Sequence, residues 1–156
     1  MIACQSMNGK AVSEYGYVRV VNVRADDEDF RAAPGERVIK MGRGNAVMGN
    51  RHDMKGASMA ERDRVVQAHR GDLEADIKVK GPMHEIMWAI AQDIVDKNEC
   101  IAIQCFCAPK PCHLDLVAAT ITGMVQEIRN EANLGIQMQN PESAKTEPFS
   151  KSISKP

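Results

Sequence analysis

Apolar residues recur along this chain with two different periods, and the switching between them outlines the fold. Residues 17–24, Tyr-Val-Arg-Val-Val-Asn-Val-Arg, alternate and are rich in valine, which predicts a first strand. It stops at the acidic turn Asp26, Asp27, Glu28 and Asp29. After Pro34-Gly35, residues 37–41 predict a second short strand that runs straight into Gly42-Arg43-Gly44-Asn45. Residues 42–56 hold four glycines and no periodicity, so they form a loop, and loops of that length in a small domain usually carry function or are disordered.

The period then changes. Ser58 and Glu61 have capping-box spacing, which predicts a helix start and a helix running to about Ile77 across Gly71. Gly81-Pro82 opens a second helix, because proline is tolerated where its missing N–H would have no partner. Met83, Ile86, Met87, Ile90, Ala91, Ile94 and Val95 then fall on one face. Residues 101–106 are apolar at successive positions, as in a central strand covered by helices on both sides. From His113 to about Arg129, Leu114, Val117, Ile121, Met124, Val125 and Ile128 mark a third helical face.

This order predicts an α/β domain, a mostly parallel sheet flanked by helices over residues 17–136, with right-handed crossovers. Residues 1–16 are a polar lead-in. Residues 137–156 turn to Gln, Asn, Pro, Ser, Lys and Thr, a composition that predicts a disordered tail.

Composition narrows the partners. With 156 residues the chain is one domain, and with 44% hydrophobic but 4% aromatic residues its core must be filled by Val, Ile, Ala and the ten Met. A net charge of −1 leaves no footprint for duplex nucleic acid, so any anion contact is local. No stretch has the length of a signal peptide's apolar region or a membrane span, which predicts a cytoplasmic protein without a membrane partner. The sequence leaves a homo-oligomer open.

Three of the five cysteines, Cys105, Cys107 and Cys112, crowd together with His113 and read as reduced thiols. They admit three readings. Cys-x-Cys-x4-Cys-His offers soft ligands to zinc, but there is no Cys-x2-Cys pair and neighbouring residues seldom point at one ion, so the spacing counts against a metal or other cofactor. Alternatively Cys112, just before a helix start, is a nucleophile whose thiol the helix dipole acidifies, with His113 as acid/base partner. Cys100 and Cys105 read best as small buried hydrophobes. Elsewhere Arg43 can grip a phosphate or carboxylate while Gly42, Gly44 and Gly49 let the backbone approach it and Asn50 adds a polar group. Asn22 and Arg24 end the first strand, where side chains reach a crevice. His52, His69 and His84 stand alone and read as surface or helix-face residues, and Glu85 and Asp93 as solvent-facing.

Val20-Val21-Asn22-Val23-Arg24, Gly42-Arg43-Gly44 with Gly49-Asn50, and Cys105-Phe106-Cys107-Ala108-Pro109-Lys110-Pro111-Cys112-His113 followed by Leu114-Asp115-Leu116-Val117 together resemble the family named domain of unknown function 4326, widespread in bacteriophages and bacteria. The match covers about residues 18–130. It departs at Arg51, where the family usually has proline, and at residues 45–48. The resemblance implies a single small Rossmann-like domain with one shared pocket, and it supplies no activity.

The functional expectation is a cytoplasmic phage-type protein, in the host cytoplasm if phage-encoded. It binds a nucleotide or nucleotide-derived phosphate ligand between residues 42–51 and residues 107–113, with Cys107 and Pro109 in the wall. Such a protein serves nucleotide metabolism or sequesters a defence signal. The alternatives are a Cys112/His113-dependent enzyme acting on a nucleoside or nucleotide, and a protein-interaction module using the tail or a Met-rich surface.

Overall fold

Ile101, Ala102 and Ile103 have no exposed surface, and a strand buried on both faces must lie inside a sheet. The computed structural model describes residues 15–22, 31–107 and 110–139. In it β1 (Tyr17–Asn22) and β2 (Arg37–Lys40) flank β3 (Cys100–Cys105), and both pair with it in parallel. Parallel neighbours cannot be joined by hairpins. Between β2 and β3 the chain therefore passes through α1 (Met59–Lys78) and α2 (Pro82–Asp96), and it leaves β3 into α3 (His113–Gln139).

Register decides which side chains meet. Val18 and Val20 stand opposite Ile101 and Ile103, and Ile39 stands on the other side of Ile103, so all five share one face. The helices pack onto that face. Met87, Ile90, Ala91 and Ile94 of α2 join Leu114, Val117, Ile121, Met124 and Val125 of α3, and Leu73 of α1 completes the cluster around Ile101, Ile103 and Cys105. Methionine fills the gaps as the composition predicts: Met41, Met48 and Met87 are among the largest fully buried side chains.

The helix limits have local causes. Ser58 Oγ accepts the Glu61 N–H at 3.1 Å, which forms half of the predicted capping box. Glu61 instead turns its carboxylate to the Lys55 N–H and Arg64. Asp76 ties α1 to α2, its carboxylate accepting the His84 N–H at 2.8 Å, and a Cβ on Gly81 would meet that carboxylate at 2.4 Å. The third helix continues to Gln139, beyond the Arg129 at which its apolar face ends, so residues 137–139 are helical rather than the start of a tail. The expectations for the lead-in up to residue 14, for Arg24 and the acidic turn, and for residues 140–156 lie outside the described residues. Asp93, expected to face solvent, pairs with Arg37 and Lys97.

On the opposite face of the sheet the alternate β1 residues build a polar network. Tyr17 Oη donates to Glu36 at 2.8 Å, Arg19 donates to both Glu36 oxygens at 2.6 and 2.9 Å, and the Ala33 N–H adds a fourth bond at 2.6 Å. The Glu36 side chain is only 1% exposed. Burial raises its carboxyl, but the bonds from Arg19, the Ala33 N–H and Tyr17 outweigh burial and hold it below the ordinary 4.5.

Because the folded carboxyl is the more acidic, its contribution is complete above pH 4.5 and disappears as pH falls through the lowered value. Glu36→Gln should therefore lose about 1–3 kcal/mol at neutral pH, since the charge-assisted bonds from Arg19 to the buried carboxylate are lost. Urea melts of the two proteins should converge as the medium is acidified below that range; a gap that stays constant with pH would refute the ionic origin.

Candidate functional site

A strand that ends inside a parallel sheet delivers its last side chain to the crevice above the sheet's carboxyl edge. Cys105 ends β3 there, level with Asn22 at the end of β1. The chain then turns, with the Lys110 N–H donating to the Cys107 carbonyl at 2.9 Å, and enters α3. That turn folds Cys112 back so that its Sγ lies 3.1 Å from Cys105 Sγ, and Cys107 joins them, all three sulfurs lying within 4.8 Å of one another. All three are free thiols.

The helix start locks the cluster. The Cys112 N–H donates to the Asp115 carboxylate at 2.7 Å, and the Leu114 N–H donates to Cys112 Sγ at 3.5 Å, so a thiol and an acid satisfy amides that a helix start leaves unpaired. His113 turns inward. Its Nε2 lies 3.3 Å from the Met41 carbonyl, which can only accept, so the proton sits on Nε2 and leaves Nδ1 as an acceptor 3.5 Å from Cys112 Sγ. His69 of α1 packs edge-on against this ring, with centroids 4.9 Å apart. Burial and the neighbouring His113 lower His69 to about 4, and burial lowers His113 as well, so both rings are neutral near pH 7.

Charge in the thiol cluster is not where the helix start alone would put it. Hydrogen bonds from Cys105 and Cys112 hold Cys107 well below the ordinary thiol value, against burial and with help from the Arg62 guanidinium. Cys112 is pushed far up by its bonds to Cys105 and Cys107 and by burial, and the bond with Cys107 raises Cys105. The thiol that its surroundings lower is thus Cys107, and Cys112 is raised. The reason is position: Cys112 is 2% exposed between two sulfurs that take its hydrogen bond, while Cys107 is half-buried beside a cation.

These groups open onto a pocket of about 240 Å³. Cys105, Cys107, Pro111, Cys112 and His113 form one wall, Arg43 and Asn50 a second, and Arg62 with Val65 and Val66 a third, while Met54 and Phe106 complete the lining. The structure thereby brings Arg43, Asn50, Cys107, Cys112 and His113 together. Arg43 donates to Asp53 at 3.1 Å and to the His52 carbonyl at 3.0 Å, and over half of its side chain stays exposed. Asn50 is committed to the protein, donating to the Val65 carbonyl at 3.0 Å and accepting the His52 N–H at 2.9 Å, so it anchors the loop on α1. Asn22 stands at the strand end but outside that lining. Arg24 and Pro109 fall outside the described residues.

The glycines divide by role. A Cβ on Gly49 would meet the carbonyl oxygens of Asn45 and Arg43 at 2.4 and 2.6 Å, so this glycine serves the loop's own close packing rather than a ligand. Gly44 faces open space, and a Cβ on Gly42 would make only ordinary contacts near Gln104, Cys105 and Phe106. Asn45 shapes the loop from inside by accepting the Val47 and Met48 N–H groups and donating to the Lys40 carbonyl.

Arg62, His69 and Phe106 were not anticipated from sequence. His52 does pair with Asp72 at 2.7 Å and His84 stacks on Trp88, as groups on loop and helix surfaces do. His69 instead is 1% exposed, and among the described residues its Nε2 has no hydrogen-bond partner. The signal was present in the helical spacing, since Arg62, Val65, His69 and Leu73 recur every three or four residues and share one face.

Fold and site together define a small parallel α/β protein with a cysteine–histidine pocket at the carboxyl edge of its central strand. The chain belongs to the family described as Domain of unknown function (DUF4326), whose model matches residues 21–123 and so encloses every pocket residue named above. No curated protein and no solved structure matches the chain. Among the described residues no helix is long and apolar enough to cross a membrane.

Gly49→Ala is expected to destabilise the protein by about 1–3 kcal/mol, the usual range for overpacking against atoms that cannot yield. Gly44→Ala, in open space, should stay within about 0.5 kcal/mol of the parent. Chemical denaturation of both distinguishes a structural from a ligand-binding requirement for glycine, because equal effects would remove the steric argument.

Proposed function

We propose that this pocket binds a nucleotide or nucleotide-derived phosphate compound, in the cytoplasm, as part of nucleotide metabolism or of the sequestration of a defence signal by a phage-type protein. One observation carries the reading. Two guanidinium groups, Arg43 from the loop and Arg62 from α1, enter one pocket whose remaining lining includes the apolar Met54, Val65 and Val66 and the aromatic Phe106. In a chain of net charge −1 that pairing is a local concentration of cations.

Guanidinium groups suit phosphate oxygens, and the half-exposed Phe106 offers a flat surface to a ring. Among the described residues Arg43 is held only by an exposed ion pair with Asp53 and a carbonyl bond, interactions that an anionic ligand can replace. At about 240 Å³ the cavity lies just below the usual range of about 300–1,000 Å³ for ligand pockets, which favours a single phosphate-bearing nucleoside over a dinucleotide. The second reading is an enzyme acting on a nucleoside or nucleotide, favoured by a thiol and an imidazole in the same cavity. Its nucleophile would be Cys107, the most accessible of the three sulfurs.

Thermal-shift titration against a panel of nucleoside mono- and diphosphates, with native mass spectrometry of the purified chain, is the test. A ligand at 100 times its Kd should add about 2.7 kcal/mol of apparent stability. Arg43→Ala and Arg62→Ala should each weaken binding by about 1.5–3 kcal/mol, the worth of a hydrogen bond to a charged group. Recovery of the ligand unchanged marks a binding protein; product formation abolished by Cys107→Ser marks the enzyme. A folded protein that none of the panel stabilises would reject both.

A further inference from the structure

A buried cysteine packs readily as a small hydrophobe, but here three sulfurs converge from a strand end, a turn and a helix start. Their mutual separations reach from 3.1 Å for Cys105 and Cys112 to no more than 4.8 Å. Sulfur ligands on a tetrahedral zinc, with bonds of about 2.3 Å, stand about 3.8 Å apart. That spacing falls between the 3.1 Å of Cys105 and Cys112 and the 4.8 Å within which all three sulfurs lie. His113 Nδ1 stands 3.5 Å from Cys112 Sγ, beside the three sulfurs and not a member of the set.

The surroundings also suit a metal centre. The Nε2 of His113 is held by the Met41 carbonyl, which fixes the ring beside the three sulfurs. The Leu114 N–H points at Cys112 Sγ, as amides do toward sulfur that carries charge. Three thiolates on a divalent ion leave one net negative charge, and Arg62 shares the pocket with Cys107 to offset it.

We propose that Cys105, Cys107 and Cys112 together hold one thiophilic divalent ion, with zinc the best fit, and that its fourth position opens onto the pocket beside His113. A Cys-x2-Cys turn is one way to supply a pair of zinc ligands. Here Cys105 and Cys107 are two residues apart at a strand end, and the following turn returns Cys112 to them. As each sulfur–metal bond forms, the thiol proton passes to solvent and no electron is transferred. Three protein ligands with one open position is the arrangement that leaves a metal able to polarise a bound water or ligand oxygen. The inference does not depend on the nucleotide reading.

The full chain, purified under reducing conditions, should carry one zinc per molecule by native mass spectrometry and elemental analysis. After chelation it should take up Co²⁺ with the near-ultraviolet thiolate-to-cobalt charge-transfer absorption. Cys107→Ser, on the half-buried turn, should keep the circular dichroism of the parent while its zinc affinity falls by more than the ~10–100-fold that loss of an outer contact costs. Cys107→Ala, which removes any ligand oxygen, should behave likewise. No zinc uptake by the reduced wild-type chain, a cobalt spectrum without the thiolate band, or a folded Cys107→Ser or Cys107→Ala protein with parental affinity would each overturn the site. No nucleotide enters the experiment, so its outcome is separate from that of the ligand panel.

Discussion

Burial of β3 between two parallel neighbours is the constraint on which the rest of this structure depends. A strand with Ile101, Ala102 and Ile103 wholly excluded from water needs a ladder on each edge, which β1 and β2 provide. Parallel pairing then obliges the chain to return through helices. Those helices supply the apolar surface that covers Ile101 and Ile103. The same geometry ends the strand in the interior, so Cys105 and the turn after it are buried by the packing that stabilises the fold.

That position explains the unusual chemistry at the junction. Sulfur and imidazole groups that water would otherwise solvate are enclosed by Met41, α1 and the first turn of α3. Each group therefore takes its state from its neighbours. Cys112 donates to Cys105 and is pushed up, Cys107 is lowered by its sulfur neighbours and Arg62, and both histidines are lowered by burial. His69 shows the cost most clearly: a buried Nε2 without a partner destabilises by about 1–3 kcal/mol, which the apolar packing of Val65 and Leu73 must offset. Polar groups kept in a core at such a cost are commonest where they serve a site.

The loop from Gly42 to Arg51 forms the opposing wall by internal bonding. Asn45 organises its backbone, Gly49 allows the close approach of two carbonyls, and Asn50 pins it to α1. Arg43 is left as the loop's cationic contribution to the pocket. Residues that sequence would assign to ligand binding are in this way divided between building the wall and facing the cavity.

The strands, the helical faces and the strand-to-helix junction at which the candidate pocket lies were legible in the sequence, because each depends on local periods of two or 3.6 residues and on turn and cap residues within a few positions. Valines in alternation marked β1, and Met83 to Val95 marked the buried face of α2. The meeting of three thiols, the enclosure of His69 against His113 and the approach of Arg62 to Cys107 depend on contacts between elements far apart in the chain. Cys107 and Cys112 illustrate the difference. Sequence placed the acidic thiol at the helix start, where the dipole acts, whereas the folded turn put Cys112 between two sulfurs and left Cys107 next to the cation. Local chemistry determined which groups were present; only packing decided which of them face one another and which carries the charge, because electrostatic and hydrogen-bond energies depend on distances that periodicity does not contain.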